Sequence, residues 1–267
     1  MHRVVQIAAV LPVLAALAAS RPASAAVHTE PLAYTAGDVT CRGYLAWDDA
    51  TAGRRPGVLV VHEWYGLNDY ARSRAQQLAQ LGYVALAVDM YGDGRVAKDA
   101  QEAGALAGAL KGNRSLMRTR IRAALDALRA RPECDPARVA AIGFCFGGTT
   151  VLELARDGAD VLGVVSFHGG LATPLPAPAG AVKAKVLVLH GAADPYESSA
   201  EVAAFQKEME TAGADWQMMF YGHAVHSFSN PASGDDPAKG AAYNEKAATR
   251  GWAAMQGFFA ELFAPAS

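Results

Sequence analysis

The sequence has few of the features that mark nucleic-acid-binding, redox or metal-binding proteins. It contains three cysteines in 267 residues and carries a formal net charge of −2, without a cluster of basic residues. Binding to nucleic acid or to an anionic membrane surface normally requires such a cluster, so we expect neither as a partner. No C-x-x-C pair is present, which argues against a thiol redox protein, and no H-E-x-x-H motif suggests a metal site. We expect no metal and no organic cofactor.

The one apolar run that approaches membrane length lies at the N-terminus. A short basic start precedes an apolar segment over 4–19, and Ala23-Ser24-Ala25 follows as an A-x-A site. The run is short for a membrane span, which needs roughly 20 residues, and the order of features is typical of a secretory signal peptide. The sequence therefore predicts a signal peptide over 1–25 and a periplasmic or secreted protein that has no membrane segment after cleavage. A retained N-terminal anchor is the alternative.

The remaining segment, 26–267, suits one large domain with a well-filled core. Loss of Arg3 and Arg21 with the signal peptide would change the formal net charge from −2 to −4. Export would place the cysteines in an oxidising compartment, where disulfides persist. An odd number of cysteines leaves at least one free thiol. If that thiol is Cys145, Cys41 and Cys134 could form a disulfide.

Apolar strands alternate with helical segments along most of the chain. The strands are predicted over 38–46, 58–62, 83–88, 138–142, 161–167, 185–189 and 216–221, and the helices over 69–81, 98–110, 115–130, 148–155, 198–211 and 239–263. This alternation predicts a mostly parallel sheet with helices on both faces. Active groups in such sheets gather at the carboxyl ends of the strands. A proline- and alanine-rich segment over 172–180 is interpreted as a surface loop, with a domain linker as the alternative.

The pentapeptide Gly143-Phe144-Cys145-Phe146-Gly147 lies between a predicted strand and a predicted helix. A tight turn there would expose the central side chain at the carboxyl end of the sheet, and such a turn leaves room only for small residues on either side. Strand, turn and helix in this order form the nucleophile elbow of the α/β-hydrolase fold, with Cys145 in the place of serine. The alternative is that Cys145 is a small buried core side chain.

Two later strand ends carry an acid and a histidine in the order that this fold requires. Asp194 follows the strand over 185–189, and His226 follows the strand over 216–221. We expect Asp194 to orient the imidazole of His226, which then exchanges protons with the thiol and the leaving group. A plain turn before Pro195 is the alternative for Asp194, and His223 is the rival of His226. The histidines expected to be structural are His62, His168 and His190.

A fourth group, Glu63, lies at the end of the first central strand, where a plain Ser-His-Asp enzyme would not need a carboxylate. Aromatic residues follow it, which fits poorly with an ordinary surface acid. Metal binding by His62 and Glu63 is a further alternative, although Gly66 stands where the second histidine of an H-E-x-x-H motif would be.

Five motifs together resemble the dienelactone hydrolase family over nearly the whole segment after the signal peptide. They are His62-Glu63-Trp64-Tyr65-Gly66, Asp89-Met90-Tyr91-Gly92, Gly143-Phe144-Cys145-Phe146-Gly147-Gly148, His190-Gly191-Ala192-Ala193-Asp194-Pro195 and His226-Ser227-Phe228. The resemblance implies the α/β-hydrolase fold and a Cys-His-Asp triad of Cys145, His226 and Asp194. It also implies that Glu63 contacts the resting thiol and helps to activate it. The backbone N–H groups of Phe146 and Trp64 would form the oxyanion hole.

The same resemblance places Tyr65, Tyr91, Asp93 and Asn230 in the substrate pocket. Well-known members of the family grip a lactone carboxylate with two arginines, and Asp93 and Asn230 occupy those two positions here. Arg95 is close in sequence and is a substitute to consider. We therefore expect an exported, monomeric hydrolase that cleaves a neutral small-molecule ester or lactone through a Cys145 thioester. The alternatives are another acyl substrate, such as a thioester or an acetylated carbohydrate, and a non-catalytic binding protein on the same fold.

Overall fold

The computed structural model describes residues 27–49 and 53–264. The predicted signal peptide and its cleavage site lie outside the described residues. Eight strands form one sheet in the order β1-β2-β4-β3-β5-β6-β7-β8. Their bounds are Val27–Ala36 (β1), Val39–Asp48 (β2), Arg55–Val61 (β3), Val84–Val88 (β4), Cys134–Phe144 (β5), Gly163–Phe167 (β6), Lys185–Gly191 (β7) and Trp216–Tyr221 (β8).

The sheet is mostly parallel, as the alternation of strands and helices predicts. β1 pairs antiparallel with β2, and β2 pairs antiparallel with β4. All later pairs, from β4–β3 through β7–β8, are parallel. The hairpin turn between β1 and β2 contains Gly37 at φ 66°, a left-handed conformation that glycine adopts at little cost. The carboxyl ends of β3, β5, β6, β7 and β8 therefore meet along one edge of the sheet.

Six α-helices cover the sheet within the described residues. They are Asp69–Gln80 (α1), Ala100–Lys111 (α2), Arg114–Arg129 (α3), Phe146–Arg156 (α4), Ser199–Ala212 (α5) and Glu245–Leu262 (α6). Asn68 and Asp99 cap α1 and α2, and Ser198 closes a capping box with Glu201 at the start of α5. These side chains satisfy amide groups that the first helical turn leaves free. None of the helices in this part of the chain is long and apolar enough to cross a membrane.

The core has two layers, one on each face of the sheet. Leu59 and Val61 of β3 belong to the layer beneath helices α2 to α5, while Val58 and Val60 belong to the layer beneath α1 and α6. Successive side chains of a strand point to opposite faces. A strand covered on both faces must therefore be apolar at every position, which explains the unbroken run in β3.

Two predicted boundaries are wrong for local reasons. The last helix was expected over 239–263, but α6 begins at Glu245. Gly240 has φ 80° and ends a short 3₁₀ helix over Pro237–Lys239, and the side chain of Asn244 caps the new helix. β5 was expected over 138–142, but it begins at Cys134 because pairing with β3 continues past a bulge between Pro56 and Gly57.

The possible disulfide between Cys41 and Cys134 is absent, and both residues are buried free thiols. Cys41 lies on β2 and Cys134 begins β5, with β4 and β3 between these two strands. Three strand spacings separate the residues by roughly 14 Å, whereas a disulfide needs Cα atoms within about 7 Å. The topology therefore prevents the bond.

Candidate active site

Cys145 stands on a strained turn between β5 and α4. Its backbone has φ 53° and ψ −113°, an unusual conformation for a residue with a side chain. A Cβ atom on Gly143 would lie 2.0 Å from the carbonyl oxygen of Gly147, and one on Gly147 would lie 2.2 Å from the carbonyl oxygen of Val61. Both flanking glycines are therefore required by close backbone contacts. The side chain of Cys145 is partly exposed, unlike its buried neighbours Phe144 and Phe146.

An acid and a histidine meet beside this turn. Asp194 lies in the loop after β7 and is buried, and His226 lies in the loop after β8. The Nδ1 atom of His226 is 2.8 Å from Oδ2 of Asp194. The side chain of Cys145 lines the same cavity as this imidazole, and its interaction with the ring raises the pKa of His226. Carboxylate, imidazole and thiol therefore lie together, the arrangement that nucleophilic catalysis needs.

The electrostatics of His226 are set by these two partners. Burial lowers the pKa of the imidazole, but the hydrogen bonds to Asp194 and Cys145 and the charges of both groups raise it to about 10. An imidazolium at neutral pH is suited to stabilise a thiolate and to give a proton to a leaving group.

Glu63 is held by the loop that carries His226. The hydroxyl of Ser227 donates to Oε1 of Glu63 at 2.6 Å, and Nδ2 of Asn230 donates to Oε2. Burial raises the pKa of the Glu63 carboxyl, against the lowering effect of these two hydrogen bonds. The family resemblance places Glu63 against the Cys145 thiol; both residues line the same cavity, and no hydrogen bond joins their side chains in the described part of the chain. Its two carboxylate oxygens are instead hydrogen-bonded by Ser227 and Asn230.

A cavity of about 600 Å³ opens over these groups. Six of the predicted site residues line it, namely Glu63, Trp64, Tyr65, Cys145, His226 and Asn230. This volume is in the range of small-molecule sites. A thiol on a strained turn, a paired histidine and a small-molecule cavity thus coincide at the carboxyl edge of the sheet.

A model of the dienelactone hydrolase family matches residues 41–263 of the chain. The protein belongs to the dienelactone hydrolase family. One similar solved structure is a dienelactone hydrolase-like promiscuous phosphotriesterase from metagenomic libraries. It is 45% identical, with a TM-score of 0.86 over 90% of this chain and 100% of its own. Dienelactone hydrolase from Anabaena variabilis shares the fold at 21% identity, with a TM-score of 0.63 over 87% of this chain and 97% of its own.

A sequence relative is Protein usf from Aquifex pyrophilus, which is 29% identical over 210 residues. The match covers 75% of this chain and 88% of the relative. The family match and the similar solved structures agree with the α/β-hydrolase fold and with the geometry of the site described above.

Two residues placed in the pocket by the family resemblance do not line the cavity. Tyr91 is buried beneath it, and its hydroxyl donates to the carbonyl oxygen of Trp64 at 2.7 Å. Asp93 is exposed in a turn at φ 57°, and its amide donates to the carbonyl oxygen of Thr40 at 2.7 Å. Tyr91 therefore supports the cavity wall through Trp64, and Asp93 lies outside the cavity lining.

The cavity also contains residues that the sequence analysis did not select. They include Lys111 at the end of α2, Tyr196 and Glu197 after Asp194, and Ser233 in a short 3₁₀ helix. Tyr196 and Glu197 directly follow the acid, so the position of Asp194 was a usable signal for them. Lys111 comes from a helix remote in sequence, and no local motif indicates its place.

The remaining histidines are separate from the proton path. His223 is exposed and does not line the cavity, which favours His226 over its rival. Burial lowers the pKa of His62 to about 4, and burial also lowers the pKa of His190. Nδ1 of His62 donates to the carbonyl oxygen of Glu63. Over residues 27–49 and 53–264, no group of three or more histidine, cysteine or acidic side chains could hold a metal ion.

Proposed function

We propose that the protein hydrolyses small carboxylic esters or lactones, with Cys145 as the nucleophile. The observation that carries this proposal is the hydrogen bond between Asp194 and His226, together with the position of His226 and Cys145 in the lining of one cavity. Such a chain allows a nucleophile to attack and allows the same histidine to serve as acid and base.

The reaction has two halves. The Cys145 sulfur, its proton held by His226, attacks the acyl carbon and forms a tetrahedral intermediate. The C–O bond to the alcohol then breaks, His226 gives the proton to the leaving oxygen, and a thioester remains on Cys145. In the second half, water gives a proton to His226 as its oxygen attacks the thioester. The C–S bond breaks, the acid is released, and the proton on His226 balances the thiolate.

The oxyanion formed in each half needs hydrogen-bond donors. We assign this role to the backbone N–H groups of Phe146 and Trp64. Phe146 is the first residue of α4, where amide groups lack helical partners and the helix dipole favours negative charge. Gly147 packs against the carbonyl oxygens of Val61 and His62, so the start of α4 lies beside the segment that leads to Trp64.

We propose that the preferred substrate is neutral. The acidic side chains that line the cavity are Glu63 and Glu197. Lys111 is the one lysine or arginine in that lining, and the charge of the His226 imidazolium is paired with Asp194. Lys111 is exposed, and the side-chain amide of Asn230 already donates a hydrogen bond to Glu63. A substrate carboxylate buried beside the two acids would lack the bidentate arginine partner that makes such burial favourable.

The test is a substrate panel with the purified protein and its Cys145→Ala variant. The panel contains short p-nitrophenyl esters, neutral lactones, dienelactone, a thioester and an acetylated sugar. A phosphate triester is added because the similar metagenomic protein is named a promiscuous phosphotriesterase. We expect the highest kcat/KM on a neutral ester or lactone, and almost none in the variant. Binding without turnover of any substrate would favour the non-catalytic alternative.

We also propose that the protein is exported and cleaved after Ala25, on the basis of the N-terminal sequence pattern alone. N-terminal sequencing of protein recovered from the periplasm or medium should begin at Ala26. Recovery of the intact chain from the cytosol alone would contradict this proposal.

A further inference from the structure

His168 is a buried titratable residue that the proposed reaction does not use. It follows β6, has φ 40° and is fully buried. Its Nδ1 atom accepts a hydrogen bond from the backbone N–H of Cys145 at 3.1 Å, an N–H that also donates to the carbonyl oxygen of Phe167 at 3.0 Å. The imidazole therefore contacts the backbone of the nucleophile itself.

The opposite side of the same ring contacts the loop that carries His226. Nε2 of His168 lies 2.8 Å from Oγ of Ser229, three residues after His226. Ser229 in turn lies 2.9 Å from the hydroxyl of Tyr70, and Arg74 donates to the carbonyl oxygen of Ser229 at 2.9 Å. One imidazole thus bridges the nucleophile turn and the histidine loop, and α1 anchors the far end.

The hydrogen bonds define the protonation state of this ring. An amide N–H can only donate, so Nδ1 of His168 carries no proton and the proton of the neutral ring is on Nε2. Nε2–H then donates to Ser229, whose hydroxyl can donate to Tyr70. Burial, followed by the charge of His226, lowers the pKa of His168 well below its usual value, which agrees with a neutral ring. A protonated Nδ1 would oppose the N–H of Cys145.

We propose that His168 is a positioning residue that fixes the distance between Cys145 and His226. The bridge Cys145 N–H to His168 to Ser229 joins the two chain segments that must exchange a proton. His168 does not line the cavity, so its loss affects the chemical step more than substrate binding. This inference rests on the proposed function, because it assigns a role within the same Cys145 reaction.

The test compares His168→Phe, His168→Asn and Ser229→Ala with the wild type. Phenylalanine keeps a ring but removes both nitrogens, whereas the oxygen of asparagine can accept from the N–H of Cys145. We expect His168→Phe to lower kcat about tenfold to a hundredfold, the range that small misplacement of reacting groups causes, with KM within about twofold. His168→Asn should recover part of kcat. The rate of Cys145 alkylation by iodoacetamide at pH 7 should be lowest in His168→Phe and intermediate in His168→Asn. This rate reports the reactivity of the same thiol in the absence of substrate.

Tyr34→Phe is the matched control, since it removes a buried hydrogen bond to the carbonyl oxygen of Asp89 without contact to the bridge. It should lower stability while kcat is unchanged. If His168→Phe does not fold, the Ser229→Ala variant tests the inference instead. We expect it to lower kcat by the same factor. The inference is overturned if the folded variants keep kcat within twofold of wild type while Cys145→Ala is inactive. An active Cys145→Ala protein would instead reject the proposed function.

Discussion

Nδ1 of His226 lies 2.8 Å from the carboxylate of Asp194, and this pair spans the loops after two neighbouring strands. The carboxylate is buried, while the imidazole is partly exposed to the cavity. The pair thus fixes the ring in one tautomer and leaves its other nitrogen for the thiol.

Asp194→Asn should lower kcat by up to about 10⁴, because the amide can favour the wrong imidazole tautomer. His226→Ala should have a comparable effect. His223→Ala is the control, since His223 is exposed and outside the cavity, and its kcat should stay close to wild type. Steady-state kinetics on a p-nitrophenyl ester measures all three, and the reverse ranking of the histidine variants would refute the assignment of His226.

The activity should persist to alkaline pH. His226 is protonated below its pKa of about 10, so the imidazolium needed for leaving-group protonation is lost only as the pH rises through that value. In Asp194→Asn the alkaline limb of kcat/KM should move to lower pH, because a hydrogen bond and a charge that raise this pKa are removed. The profile is measured between pH 6 and 11, with Cys145→Ala correcting for spontaneous hydrolysis. An alkaline limb that does not move in Asp194→Asn would argue against this origin of the pKa.

The preference for a neutral substrate can be tested by substitution of Asn230. The wild type should favour a neutral lactone over dienelactone by about tenfold or more in kcat/KM, which corresponds to about 1.4 kcal/mol. Asn230→Arg should narrow the ratio, since a cation would then face the substrate carboxylate. A wild-type preference for dienelactone that Lys111→Gln removes would contradict this prediction and locate the anion site at Lys111.

Two glycines offer a matched test of the elbow geometry. Gly147→Ala should destabilise the fold by about 2–4 kcal/mol, because the new Cβ would lie 2.2 Å from the backbone oxygen of Val61. Gly104→Ala, on an exposed position of α2 with nothing within 4 Å of the new Cβ, should stabilise it by about 0.5–1 kcal/mol. Urea unfolding monitored by circular dichroism distinguishes the two. Equal effects of the two substitutions would argue against the close contact at the elbow.

Most of the fold could be predicted from local signals. β8 lies over the predicted residues, and α1 and α5 begin at the capping residues Asn68 and Ser198. The start of α6 was missed because Gly240 and Asn244 interrupt a segment whose composition favours a helix. Such interruptions depend on backbone angles that composition does not specify.

The site was only partly predictable, for a related reason. Cys145, Asp194 and His226 each follow a strand, so parallel topology alone brings them to one edge. Asp93 lies in the loop after β4 but is exposed and outside the cavity lining, whereas Lys111 lines the cavity from the end of a helix. The hydrogen bonds that join His168 to the Cys145 N–H and to Ser229 link residues 23 and 61 positions apart, and no motif spacing indicates such contacts.

The most direct test of the central claim is to trap the acyl-enzyme. The protein is mixed with p-nitrophenyl acetate, quenched in acid within the first turnovers and digested for peptide mass spectrometry. We predict a burst of p-nitrophenol and an acetyl group on the peptide that contains Cys145, with both signals absent in Cys145→Ala. Turnover without an acetylated Cys145 peptide, together with an active Cys145→Ala protein, would contradict the account.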